Sequence, residues 1–305
     1  VRLSLARPAV AALAIAGCLV GASAPAQADT KQARPTTLNV VAMGDSYASG
    51  TGAGDYKDGT GVPNGCWRSS NSYSETLVER MRAAGVSVSF KNVSCSGAAT
   101  TNMITSFKGQ PPQLKALTKD TDLVFLTIGT SDVDFAGYGA QCIAADCSGP
   151  AAQEMLSRMP RMGDYVLSLM IKIKAYSPKA TIVLTGYGSQ LTEGANAPGI
   201  PLDPICEPQY FSSQERIDGN AVARALDANL RHAAEHAGAT FVSPYVDSVN
   251  LHPSFEGHSL CESTEPYYRG LEALAPGQEG MEAVLHLNAS GQEALADLIQ
   301  GEFVR

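Results

Sequence analysis

The 305-residue chain carries 22 Lys+Arg against 30 Asp+Glu, a formal net charge of −8. That acidic balance argues against recognition of nucleic acid or of anionic surfaces through bulk charge. Its length is enough for one large domain with a substantial core, and beyond the leader no apolar run approaches the roughly 20 residues that span a bilayer.

Arg2 and Arg7 precede an apolar run over residues 9–21, and Ala26-Gln27-Ala28 supplies small residues of the kind a signal peptidase reads. Residues 1–28 therefore read as a secretory signal cleaved after Ala28, leaving residues 29–305 as a single domain with net charge −10. Cys18, at the end of Ile15-Ala16-Gly17-Cys18, offers a rival lipoprotein reading, but the apolar run continues past it. The domain is expected to be extracellular and monomeric.

Residues 29–37 are a polar lead, and residues 38–43 a compact valine-rich run that predicts a buried strand. Similar runs recur at 122–129, 181–188 and 239–246, while 86–95 alternates and suits a strand nearer an edge. Helical patterns cover 73–84, closed by Gly85, then 154–176 before Ser177-Pro178, and 214–237 before Gly238. A last helix is predicted over 291–300, with Ser290 and Glu293 as its capping box. Strands alternating with helices predict an α/β fold with a mainly parallel sheet. The stretches 137–150, 193–213 and 249–282 read as long irregular loops, which in a compact domain usually carry function. Past the leader stand six cysteines, Cys66, Cys95, Cys142, Cys147, Cys206 and Cys261. In an exported chain an even count predicts three disulfides, most simply between sequence neighbours. Zinc is the competitor, but Cys142 and Cys147 lack both CxxC spacing and a nearby histidine.

Ligands of open α/β sheets sit outside the carboxyl ends of the strands, so the residues after each strand matter most. Gly44-Asp45-Ser46 follows the first run. All three are turn formers, and Ser46 is a nucleophile only if a base and oxyanion donors exist elsewhere. A nucleophile elbow of the α/β-hydrolase kind fits poorly, because one strand alone precedes Ser46 and the last glycine of GxSxG is absent. Five histidines compete for the base. His232 and His236 literally match an HxxEH zinc pattern, yet they share a flank near a helix C-terminus with no third ligand in view. His252 and His258 fall in a loop, whereas His286 stands just before the capped last helix.

GDSYASG at 44–50, CSGA at 95–98, LTIGTSDVDF at 126–135, GHSLCE at 257–262 and HLNASGQEALA at 286–296 occur in the order found in the SGNH, or GDSL, hydrolases. Over nearly the whole chain past the leader, the sequence resembles the secreted three-disulfide lipases and esterases of Streptomyces in that family. The resemblance implies a flavodoxin-like three-layer α/β/α sandwich, cysteines paired in sequence order, and hydrolysis of small-molecule or lipid esters without cofactor or metal. It implies Ser46 as nucleophile, His286 as base, and the N–H groups of Ser46 and Gly97 as oxyanion donors. Two positions depart from the family pattern. Ser131 stands where the third block usually has an asparagine, and loss of one oxyanion donor can cost ~3 kcal/mol of transition-state stabilisation. Ala283 stands where an aspartate usually precedes the histidine by three residues. A backbone carbonyl from around Ala283 or Val284 is expected to orient the imidazole instead, with Glu282 in reserve. Acyl transfer to an alcohol through the same acyl-enzyme, and ligand binding without catalysis, are the competing functions.

Overall fold

The computed structural model describes residues 37–303; the leader expected at residues 1–28 lies outside the described residues. Five strands, β1 (Leu38–Gly44), β2 (Val88–Asn92), β3 (Leu123–Thr127), β4 (Thr181–Thr185) and β5 (Thr240–Val242), form one sheet in the order β2-β1-β3-β4-β5. Every neighbouring pair is parallel, with Val40 opposite Leu123 and Leu123 opposite Thr181. Burial explains the patterning. β3 is buried at all five positions and reads as a continuous apolar run, whereas β2, at an edge, alternates. The last strand is shorter than its apolar run, since Ser243-Pro244 follows Val242 and a proline has no N–H for the ladder.

The helices are α1 (Ser46–Ser49), α2 (Tyr73–Ala83), α3 (Phe135–Ala144), α4 (Pro150–Tyr176), α5 (Ser213–Ala237) and α6 (Ala289–Phe303). The connection through α2 steps from β1 towards one edge, while those through α4 and α5 step towards the other. Right-handed crossovers therefore put α2 on one face and the packed pair α4–α5 on the opposite face. α6 returns to pack on α2, completing a flavodoxin-like α/β/α sandwich. The capping box at the start of α5 is reciprocal: Ser212 Oγ accepts from Glu215 N at 3.3 Å, and Glu215 Oε2 accepts from Ser212 N at 2.8 Å.

Three expectations need correction. Residues 137–150 are not wholly irregular, because α3 occupies most of that stretch, started by Asp134, whose side chain accepts from Gly137 N. α4 begins at Pro150 rather than 154, and a proline at the first position leaves no orphan N–H. The cap of α6 is Asn288 and not Ser290: Asn288 Oδ1 accepts from Gly291 N at 2.9 Å, and its Nδ2 donates to Pro266 O at 2.6 Å. Disulfides join Cys66 to Cys95, Cys142 to Cys147 and Cys206 to Cys261. The first ties the loop after α1 to the loop after β2, and the last ties the long loop before α5 to the long loop after β5.

Candidate active site

β1 delivers Ser46 to the point where the strand order reverses, between β1 and β3. The turn there demands glycine. Gly44 has φ +130, and a Cβ on it would stand 1.9 Å from Thr127 O of the adjoining strand. Asp45 then caps α1, its Oδ1 accepting from Tyr47 N at 3.0 Å. Its Oδ2 accepts from Thr130 Oγ1 at 3.1 Å and from the Tyr187 hydroxyl. One fully buried carboxyl thus fastens the Ser46 turn to the loops after β3 and β4. Burial raises its pKa to about 7, against the opposing pull of its hydrogen bonds.

His286 comes from the segment before α6, and its Nε2 lies 2.7 Å from Ser46 Oγ. Its Nδ1 lies 3.1 Å from Val284 O. A carbonyl can only accept, so the ring proton resides on Nδ1 and Nε2 is left to accept the serine proton. Among the described residues no carboxylate partners the ring; Glu282 lines the cleft instead, and Ala283 O accepts from His286 N at 3.0 Å. The loss of water around the imidazole lowers its pKa from 6.5 to about 4, partly opposed by the carbonyl.

The carbonyl of Val284 is aimed by its neighbour. Leu285 has φ 62, in the left-handed region, with its N–H donating to Arg269 O at 2.8 Å. Its carbonyl accepts from the Tyr47 hydroxyl at 2.6 Å. Tyr47 in turn receives Gln190 Nε2 on its hydroxyl at 3.1 Å and Gln292 Nε2 on its carbonyl at 3.1 Å. The residue beside Ser46 therefore holds the segment that carries His286.

Gly97, at φ +80, and Ser131 reach the same cleft as Ser46. Among the described residues neither the Ser46 nor the Gly97 N–H donates within the protein. Asp132, beside Ser131, accepts from Thr100 N at 3.0 Å and Oγ1 at 2.5 Å, joining the loops after β2 and β3. The cleft, of about 260 Å³, continues past these polar groups between Phe135, Ile143, Val284 and Leu285. The other histidines lie elsewhere. His232 and His236 face each other on α5 with rings 4.0 Å apart, and among the described residues no cluster of three metal-ligating side chains exists. His258 stacks on Tyr267.

A serine turn after β1 in a 2-1-3-4-5 parallel sheet, met by an imidazole from just before α6, is the layout of an SGNH hydrolase. A model of the GDSL-like Lipase/Acylhydrolase family matches residues 42–294, and the chain belongs to that family. It is 31% identical over 251 residues to a lipase of Streptomyces rimosus, covering 80% of this chain and 79% of that protein. It is 29% identical over 297 residues to Lipase 2 of Streptomyces coelicolor, covering 90% and 88%. The crystal structure of an extracellular lipase from Streptomyces rimosus superposes with a TM-score of 0.69 at 25% identity, over 87% of this chain and 99% of that one. The protein is a carboxylic ester hydrolase of this family.

Proposed function

We propose that the protein is a secreted lipase or esterase that works through a Ser46–His286 dyad and an acyl-enzyme. The observation that carries this reading is the unbroken line from Ser46 Oγ to His286 Nε2 at 2.7 Å and from Nδ1 to the Val284 carbonyl at 3.1 Å. Ser46 Oγ attacks the ester carbonyl as its proton passes to Nε2. The N–H groups of Ser46 and Gly97 receive the developing oxyanion, with the Ser131 hydroxyl beside them. Nε2 then gives the proton to the departing alcohol, and water, deprotonated by the same nitrogen, releases the acid. Asp45 and Asp132 act as organisers of loops. The apolar walls beyond Ser46 and the lipases among the relatives support a fatty-acyl ester as substrate. Three disulfides and the likeness to an extracellular lipase support an oxidising destination outside the cell.

The test is hydrolysis of p-nitrophenyl esters by the unaltered protein and by Ser46→Ala and His286→Ala. Each variant is expected to lose about 10³-fold or more in kcat while unfolding at the temperature of the parent. Turnover that survives both substitutions would reject the dyad. A folded but inactive parent would point to binding without catalysis.

A further inference from the structure

A second cavity, of about 40 Å³, lies against the catalytic cleft. The two share four walls, Phe135, Gly139, Gln190 and Leu285. We propose that Leu285 is the partition between them and sets the length of acyl chain the cleft accepts, with the inner cavity as the closed end of the acyl subsite. This rests on the reading of Ser46 as the residue that becomes acylated.

The seam lies where Leu285 meets α3. Gly139 presents bare backbone there, and a Cβ on it would lie 3.3 Å from Leu285 Cδ1. The backbone of Leu285 is fixed on both sides, by Arg269 O on its N–H and by the Tyr47 hydroxyl on its carbonyl. Its side chain is therefore the movable part of the wall. The lining of the second cavity is mainly apolar, with Leu191 and Phe211 in it, and its charged or amide members Glu215, Arg216 and Asn220 are buried. An alkyl terminus suits the first part, and stripping water from the guanidinium limits how far it can go. The closed end serves the acyl group and not the alcohol. The alcohol takes its proton from His286 and departs through the open mouth, while the acyl group stays on Ser46 until water arrives.

The test is kcat/KM of the full chain for p-nitrophenyl esters from acetate to dodecanoate, with Leu285→Ala and Gly139→Ala, and for a parallel series of acetates of lengthening alcohols. Each methylene newly buried is worth about 0.8 kcal/mol, or roughly fourfold in kcat/KM. Leu285→Ala is expected to raise the ratio of long-chain to short-chain activity by at least about fourfold. Gly139→Ala, which favours the helix and pushes on Cδ1, is expected to change the ratio relative to the parent even if Leu285→Ala does not fold. The ratio across alcohol lengths is expected to stay as in the parent. An active parent whose acyl ratio neither variant alters, or variants that shift the alcohol series instead, would overturn this inference alone. A parent inactive on every ester overturns the dyad reading and this one with it.

Discussion

Among the described residues the His286 ring meets a backbone carbonyl and the Ser46 hydroxyl, and its burial governs its acid–base behaviour. Burial of the imidazole lowers its pKa to about 4, and the carbonyl of Val284, which fixes which nitrogen carries the proton, opposes that fall only in part. The base form persists well into acid. The acid limb of kcat/KM is expected to have its midpoint near pH 4, not near 6.5, and a pH–rate profile bending at 6.5 would contradict the assignment. Folding linkage does not hide this limb. The depressed imidazole contributes stability above pH 6.5 that is lost as pH falls towards 4; the raised Asp45 carboxyl contributes stability at low pH that is lost as pH rises through 7. Across the intervening window the two trends oppose each other. Ser46 and His286 were legible in the sequence because they sit in short ordered motifs. Tyr47 and Leu285 were not, since their parts depend on a hydroxyl and a carbonyl 238 positions apart that meet only in the folded chain.

At the scale of elements, strands and long helices were readable from their period, and the failures fall at one cap and one short helix. Two competent caps, Asn288 and Ser290, stand two residues apart, and local chemistry does not choose between them. Tertiary contact does, because Asn288 also reaches Pro266 O. Asn288→Ala is expected to cost about 1 kcal/mol and lower Tm by about 2–4 °C, whereas Ser290→Ala, at an exposed position, should leave the melting curve nearly unchanged. Equal effects in thermal melts would return the cap to Ser290. α3 was hidden for a different reason. Gly137 and Gly139 weaken its propensity, and the helix is held by the Asp134 cap at one end and the Cys142–Cys147 bridge just past the other. That same glycine content lets α3 approach the cleft closely enough to wall it.

Across the whole molecule, the cross-links differ in what they constrain. Cys206–Cys261 closes a separation of 55 residues and Cys142–Cys147 one of 5. Loop-closure entropy assigns them about 4 and about 2 kcal/mol respectively. Replacing both cysteines of the longer bridge by serine is therefore expected to lower the denaturant midpoint more than the same change at the shorter one. The reverse order would show that the bridges act through local geometry and not through the unfolded chain. Ser46 and His286 stand 240 positions apart, one just after β1 and the other just before α6. A chain folded only part of the way holds the Ser46 hydroxyl with no imidazole beside it. On the dyad proposed above, ester hydrolysis arrives together with the completed fold.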